Sequence, residues 1–266
     1  MINTVVSGAC GNMGKKILAQ FALETDVHVI AAIERKDHQN IGEELQLGLV
    51  LSPDLSFVKH NDCMVVEFSN PQATIEHLEI AVERKLPMVI GTTGFTKEQS
   101  EFVASCAKHI PILKSHNYGL GMNVFMEVVQ SATRLLGGAY DIEIIESHAA
   151  NKPDIPSGTG MTIAKAIAEA RGDVVDEVIQ YGRDSTKSYQ RRNHEIGIHS
   201  LRSGSYRSVH TVIFAGSGER MEFTHHEEDS SIIAKGVVYG VRFLQGQKPG
   251  LYSMKDVLAF MQESHL

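Results

Sequence analysis

INTVVSGACGNMG, residues 2–14, places an apolar run directly before three glycines at G-x-x-G-x-x-G spacing. The run Ile2–Ser7 predicts a buried strand, and Met13–Leu23 carries apolar side chains at helical spacing. Glycines between a strand and a helix let the backbone turn tightly and approach a pyrophosphate, which the positive end of the helix attracts. The stretch therefore predicts the first βα unit of a dinucleotide-binding fold, although Gly8, Gly11 and Gly14 are also what a tight turn alone requires.

The first half of the chain continues this alternation of short apolar runs and helical patterns. Strands joined by helices of this length form β-α-β units, which give a parallel sheet with right-handed crossovers. The predicted strands are Val27–Ile33, Met64–Phe68, Pro87–Ile90 and Pro111–Lys114, and the helices are Gln72–Arg84 and Thr96–Lys108, with Thr96 as N-cap. We therefore expect an α/β fold whose amino-terminal domain is a Rossmann-type parallel sheet.

The pattern changes after about residue 119, where strands dominate. The pattern predicts a second domain with a mostly antiparallel or mixed sheet. Its predicted elements are the helix Gly121–Leu136, a helix within Pro156–Ala170, and the strands Asp141–Glu146, Glu195–Leu201, Ser208–Phe214 and Arg220–His225. The helix Ser230–Phe243 follows. We expect a dinucleotide-binding domain at 1–119, completed by 229–266, and the second domain at 120–228.

Composition excludes several classes of protein. A chain of 266 residues that is 42% hydrophobic and 21% charged is typical of soluble globular proteins, and a net charge of −7 argues against a nucleic-acid partner. We find no apolar run of about 20 residues and no signal-peptide pattern, so we expect no membrane partner and a cytoplasmic protein. Cys10, Cys63 and Cys106 lie far apart, and no metal-ligand spacing occurs, so no metal is expected.

Polar residues at strand ends indicate which nucleotide is bound. Glu34 follows the second strand about 20 residues after the glycines, where an acid accepts hydrogen bonds from the adenosine ribose. Arg35 beside it suits a 2′-phosphate, so the pair predicts NADPH or NADH, unless Arg35 is only solvated surface. Phe68–Pro71 and the turn Gly91–Gly94 also follow strands, where they would contact the ribose and nicotinamide or serve only as turns.

The segment Glu146–Thr159 (ESHAANKPDIPSGT) has no apolar periodicity, so packing does not explain it. His148 and Lys152 stand four residues apart, and a histidine delivers a proton near neutral pH. Ser157–Thr159 opens a helix, whose backbone N–H groups and hydroxyls suit a carboxylate. Together with the nucleotide site, the segment predicts hydride transfer from the cofactor to a C=N or C=O bond of a small acid. The alternative for the segment is a surface loop before a capped helix.

These motifs resemble, nearly end to end, the 4-hydroxy-tetrahydrodipicolinate reductase (dihydrodipicolinate reductase) family of diaminopimelate and lysine biosynthesis. The resemblance rests on the glycine fingerprint, the F-S-N-P segment, Gly91–Phe95 (GTTGF), the E-x-H…K-x-D-x-P-S-G-T motif and Glu195–Gly204 (EIGIHSLRSG). It implies a Rossmann-type domain followed by a smaller α+β domain that serves substrate binding and oligomerisation. It also implies NAD(P)H-dependent reduction of a dicarboxylate cyclic imine by a homotetramer.

The resemblance also implies roles for individual residues. His148 would be the proton donor, and Lys152 a catalytic residue in contact with the substrate. Ser157, Gly158 and Thr159 would bind a substrate carboxylate. The cofactor would be bound by Gly8, Gly11, Asn12, Met13, Gly14, Glu34, Arg35, Phe68, Gly91, Thr93 and Asn117.

The chain departs from the family pattern beside His148. Ala149 stands where the family has a second histidine, and Ala150 and Asn151 replace basic residues. Losing a donor to a buried carboxylate costs about 1.5–3 kcal/mol, a penalty that is larger for a dianion than for a monoanion. Two alternatives therefore accompany the reductase hypothesis: a diverged paralogue that reduces a less charged imine, and a non-catalytic nucleotide-binding protein.

Overall fold

The computed structural model describes residues 1–45, 48–183, 188–205 and 207–264. Two compact units are formed, one by Met1–Leu120 with Ser231–Leu266 and the other by Gly121–Ser230. The elements of the first half are β1 (Ile2–Ser7), α1 (Asn12–Phe21), β2 (Val27–Ile33), β3 (Leu51–Ser52), β4 (Met64–Glu67), α2 (Pro71–Arg84), β5 (Met88–Ile90), α3 (Lys97–Cys106) and β6 (Pro111–Lys114).

The second half begins with a long helix and contains most of the second unit. Its elements are α4 (Leu120–Leu136), β7 (Asp141–His148), α5 (Gly158–Arg171), α6 (Val175–Val178), β8 (Ile179–Tyr181), β9 (Ile196–Arg202), β10 (Ser208–Ala215), β11 (Arg220–Glu227), α7 (Ser231–Leu244), β12 (Gly250–Tyr252) and α8 (Met254–Ser264).

The first unit is built on a seven-stranded sheet in the order β12-β6-β5-β4-β1-β2-β3, with parallel pairing throughout. Both faces are covered: Val6 and Val66 belong to one apolar cluster, and Val5 and Val65 to another. Burial on both faces is the reason that these strands are continuous apolar runs. The predicted Rossmann-type parallel sheet is confirmed, and β12 from the carboxyl-terminal segment extends it beside β6.

The second unit contains a five-stranded sheet in the order β11-β10-β7-β9-β8. β10 is antiparallel to β11 and to β7, whereas β7, β9 and β8 are mutually parallel neighbours. Of the two predicted forms, the mixed sheet is confirmed and the mostly antiparallel one is wrong. The helices α5 and α6 follow β7, and such a crossover returns the chain in the same direction.

Local signals locate the longer elements well and the short ones poorly. Thr96 caps α3 as predicted: its hydroxyl accepts a hydrogen bond from the Gln99 N–H (3.2 Å), and the Gln99 side chain accepts one from the Thr96 N–H (3.0 Å). The strands β3, β8 and β12 have two or three residues each, too few to show a periodic pattern.

In the described part of the chain, no helix combines the length and apolar character that crossing a membrane requires.

Candidate functional site

The glycine loop of the first unit needs its glycines for steric reasons. Gly8 has φ +76°, and a Cβ there would lie 2.5 Å from the carbonyl oxygen of Phe68. A Cβ on Gly14 would lie 2.1 Å from the carbonyl oxygen of Gly8. Gly11, which precedes α1, offers no side-chain cap to the first N–H groups of the helix. The loop therefore packs closely and leaves the amino-terminal end of α1 available to an anion.

A cavity of about 610 Å³ lies beside this loop in the first unit. Five of the predicted cofactor residues line it: Gly8, Gly11, Glu34, Arg35 and Phe68. Pro53, Asp54, Ser69 and Asn70 line it as well. The lining comes from the ends of β1, β2 and β4, the carboxyl edge at which ligands bind in open parallel sheets.

The other predicted cofactor residues are outside the lining described for this cavity. Asn12 is exposed at the first position of α1, and Met13 packs against the apolar core. Gly91 faces the Phe68 ring, which a Cβ at that position would approach to 2.1 Å. Thr93 is exposed, and the Asn117 side chain accepts a hydrogen bond from the Gly119 N–H (2.8 Å).

Glu34 fixes the loop as well as lining the cavity. Its carboxylate accepts hydrogen bonds from the backbone N–H groups of Cys10 (3.1 Å) and Arg35 (3.1 Å). The Arg35 side chain is exposed and lies 3.3 Å from Asp37. Lys36 and His38, which belong to no recognisable sequence motif, line the cavity beside Arg35. Three basic side chains at this edge suit a phosphate next to the ribose.

A buried acid–histidine pair lies under the same cavity. The Glu67 carboxylate and the His77 imidazole are 2.6 Å apart, and both residues are almost fully buried. Burial alone would lower the pKa of His77, but the hydrogen bond to Glu67 and its negative charge outweigh this and raise the pKa. The Ser7 hydroxyl contacts the same ring nitrogen at 3.4 Å. Because one nitrogen meets both partners, this is not the nucleophile–base–acid arrangement of a catalytic triad.

In the second unit, the side chains on the helix-covered face of the strand β7 change from apolar to polar along the strand. Ile142 and Ile144 belong to the apolar core, whereas Glu146 and His148, the next two residues on that face, are polar and buried. Pairing places His210 of β10 opposite Glu146, and Arg202 of β9 opposite His148. The polar end of this face is therefore built from three neighbouring strands.

Glu146 is the centre of this polar group. One carboxylate oxygen accepts hydrogen bonds from Arg202 (2.9 Å) and from the Ser157 N–H (3.1 Å), and the other lies 3.0 Å from His148 Nδ1. Burial raises the pKa of Glu146, but hydrogen bonds from Ser157, Ser200 and Arg202 outweigh it and bring the pKa to about 2. Glu146 is thus a carboxylate at any neutral pH.

The two histidines of the group are held mainly neutral. The pKa of His148 is lowered by burial first, and the charges of Lys152 and Arg202 act in the same direction against Glu146. Burial, followed by the neighbouring His148, lowers the pKa of His210 to about 4. Their rings stand edge to face with centroids 5.3 Å apart.

Lys152 and the start of α5 meet on a carboxylate that belongs to the chain itself. The Lys152 ammonium is 2.8 Å from Asp154. It is the main cause of the lowered pKa of the Asp154 carboxyl, to which the backbone N–H of Gly158 contributes less. Ser157 caps the helix by accepting a hydrogen bond from the Gly160 N–H (3.0 Å). Thr159 follows in the first turn, partly exposed. The structure therefore places Lys152 and the start of α5 beside the carboxylate of Asp154.

Glu146, His148 and His210 also form a group of potential metal ligands whose donor atoms lie within 4.8 Å of one another. Ligands of a tetrahedral zinc ion are roughly 3.3 Å apart, and His148 Nδ1 and Glu146 Oε2, at 3.0 Å, are already that close. Glu146 is already hydrogen-bonded to Arg202, a cation. The arrangement therefore suits proton handling better than metal binding.

The parallel sheet with its glycine loop and strand-end cavity defines a Rossmann-type dinucleotide-binding protein, and its second unit carries a histidine–carboxylate site. The family model described as dihydrodipicolinate reductase, N-terminus, matches residues 2–118, and its C-terminus counterpart matches residues 121–258. The chain belongs to the dihydrodipicolinate reductase family, as the sequence motifs predict.

Individual relatives agree with this membership. A 4-hydroxy-tetrahydrodipicolinate reductase from Syntrophus aciditrophicus is 36% identical over 98% of this chain and 99% of its own length. One from Magnetococcus marinus is 36% identical over 97% of this chain and 99% of its own length. The solved dihydrodipicolinate reductase of Paenisporosarcina sp. TG-14, with dipicolinate bound, shares the fold at a TM-score of 0.79, with 22% identity over 95% of this chain and 97% of that one.

Proposed function

We propose that this protein catalyses the NAD(P)H-dependent reduction of 4-hydroxy-tetrahydrodipicolinate to tetrahydrodipicolinate, a step of diaminopimelate and lysine biosynthesis. Reductases of that name are similar to the chain over nearly its whole length. The observation that carries the proposal is local: in one cluster, Lys152 and the start of α5 hold a carboxylate close to the buried imidazole of His148. A cyclic imine dicarboxylate needs both groups.

The nicotinamide cofactor supplies the hydride, and the glycine loop of the first unit fits it. The steric requirement for glycine at Gly8 and Gly14 and the free end of α1 favour a pyrophosphate. Glu34 would bind the ribose, and Arg35 a 2′-phosphate, so both NADH and NADPH are accommodated. We assign the remaining contacts to Gly11, Asn12, Met13, Phe68, Gly91, Thr93 and Asn117.

Loss of the 4-hydroxyl group as water leaves a C=C bond conjugated with the C=N bond of the ring. His148 then protonates the ring nitrogen while the carbon that carried the hydroxyl accepts the hydride, and the resulting enamine tautomerises to the imine product. The pKa of this histidine is lowered in the protein alone, chiefly because it is buried. A dianionic substrate adds negative charge beside it, which favours the imidazolium form. Substrate binding therefore favours protonated His148 in the enzyme–substrate complex, where the proton is needed.

Lys152 and the helix start bind a substrate carboxylate. Asp154 occupies these groups in the protein alone, which supports their fitness for a carboxylate. A substrate carboxylate would replace Asp154 at Lys152 and at the Gly158 N–H, with the side chains of Ser157 and Thr159 beside it. Gly158 suits this approach because a Cβ there would meet no atom within 4 Å.

We further propose that the protein is a cytoplasmic homotetramer. The face of the second sheet opposite the core carries Leu201, 47% exposed, on β9; Ser147 lies between it and Val209, and Ile145 is two residues before Ser147 on β7. Exposed apolar side chains on a sheet face that also carries charged and polar groups suit contact with further copies of the chain. Light scattering of the purified protein should give four times the chain mass.

The activity is tested by generating the substrate from aspartate semialdehyde and pyruvate with the synthase and following the loss of NADH or NADPH. We expect turnover, and a strong fall in kcat for His148→Gln with nearly unchanged cofactor affinity. A well-folded protein without turnover would overturn the proposal. Faster turnover of a monocarboxylate imine than of the dicarboxylate would identify the protein as a diverged paralogue. Cofactor binding without turnover of either imine would identify it as a non-catalytic nucleotide-binding protein.

A further inference from the structure

Glu146 connects the proton donor with the carboxylate-binding helix start. Its Oε1 accepts hydrogen bonds from the Ser157 N–H and from Arg202, and its Oε2 lies 3.0 Å from His148 Nδ1. The carboxylate is fully buried. Two oxygens of one side chain are thus divided between the two functions of the site.

We propose that Glu146 is the positioning residue for His148: it orients the imidazole through Nδ1 and supplies the counter-charge of the imidazolium form. This inference rests on the proposed function and adds a residue to it. His148 Nδ1 and Glu146 Oε2 are close but not aligned as a hydrogen bond in the protein alone. Such hydrogen bonds are often poorly aligned without substrate and tighten in its complex.

The positions of the protons on the two nitrogens of His148 explain why a carboxylate is needed beside Nδ1. In the imidazolium form of His148, Nδ1–H points to Glu146, and Nε2–H is left for the substrate. After the 4-hydroxyl has left as water, the Nε2 proton passes to the ring nitrogen as a hydride from NAD(P)H reaches the carbon that carried the hydroxyl, and the enamine so formed tautomerises to the imine product. Neutral imidazole remains with Nδ1–H still directed at Glu146, and solvent returns the Nε2 proton. A carboxylate is required because it accepts from Nδ1–H in both states.

The charges around His148 make Glu146 its principal stabilising anion. Burial and two cations disfavour the imidazolium, and His210 does not hold a proton near neutral pH. The groups that face His148 are Glu146 on its own strand, Lys152 and Asp154 on the following loop, Arg202 on β9 and His210 on β10. Of the two anions, Asp154 is exposed and already paired with Lys152.

Glu146→Gln separates charge from shape. Glutamine keeps Oε1 as the acceptor for Ser157 and Arg202, but it removes the negative charge and offers an N–H to the imidazole. Glu146→Asp keeps the negative charge but shortens the side chain by one methylene, which moves the carboxylate away from His148. Glu222→Gln on β11, whose exposed carboxylate pairs with Arg220, is the matched control for loss of a charge from the same sheet.

The experiment combines steady-state kinetics across pH with an NMR titration of the His148 ring, assigned by means of His148→Gln. For Glu146→Gln we expect kcat to fall at least about 10-fold, KM and NADH affinity to change less than about twofold, and the deficit to grow as pH rises. The His148 titration midpoint should move to lower pH. Glu146→Asp should keep the wild-type midpoint with an intermediate kcat, and Glu222→Gln should match wild type.

Each result decides the inference. A wild-type kcat and an unmoved His148 midpoint in Glu146→Gln would overturn it, as would losses of kcat, NADH affinity and thermal stability in parallel with no pH component. If Glu146→Gln fails to fold, a wild-type kcat in Glu146→Asp overturns the inference and a reduced one with an unshifted midpoint supports it. Because the titration needs no turnover, an inactive wild type refutes the proposed function alone.

Discussion

Lys152→Met tests the carboxylate site most directly. The Lys152 side chain is 31% exposed and its ammonium lies 2.8 Å from Asp154, so the lost ion pair is a surface one that contributes only about 0.2–1 kcal/mol to the free energy of unfolding. Methionine keeps an unbranched apolar chain of similar length, and the fold should tolerate it. The effect is therefore expected at the substrate and not in the folded protein alone.

The magnitude follows from the type of contact that is lost. A charge-assisted hydrogen bond to a substrate carboxylate is worth about 1.5–3 kcal/mol, which corresponds to roughly a 13- to 160-fold fall in kcat/KM. The assay is the coupled synthase reaction with NADH loss as the signal, run beside a fluorescence titration of NADH. We expect unchanged NADH affinity. A kcat/KM within twofold of wild type would refute the assignment of Lys152, and weakened NADH binding would refute its restriction to substrate.

Three further predictions concern the loop, the buried pair and the carboxylate of the chain. Gly14→Ala forces a Cβ against the carbonyl oxygen of Gly8 and should lower the free energy of unfolding by about 1–3 kcal/mol and weaken NADH binding, measured by denaturant titration and fluorescence. Because the pKa of His77 is raised, its protonation stabilises the fold below about pH 6.5, and this contribution is lost as pH rises through the folded-state pKa. In His77→Gln, the free energy of unfolding should therefore fall less steeply with pH over that range. An unchanged slope would contradict the pairing with Glu67. Asp154→Asn removes the carboxylate that competes with substrate, so KM should fall by less than about fivefold at nearly constant kcat, and a raised KM would show that Asp154 positions its lysine partner instead.

Short-range patterns in the amino-acid sequence predicted much of the fold. The continuous apolar runs at Val27–Ile33 and Pro111–Lys114 match buried parallel strands because both faces of that sheet are covered. The glycine spacing after Ile2–Ser7 is readable because a strand, a tight turn and a helix start are consecutive in the chain. The segment from His148 to Thr159 is likewise local, and its lack of apolar periodicity is visible without a structure.

What the sequence alone determined, then, is the class of the sheet, the glycine loop and the polar segment that carries His148 and Lys152. Only tertiary structure decided which groups surround that histidine. Arg202 reaches Glu146 across 56 residues of chain, and His210 reaches Ser157 across 53. Strand register makes these contacts, and the register depends on packing of the whole sheet, which no local pattern encodes. Burial, which sets the protonation of these groups, is also a property of the folded chain only.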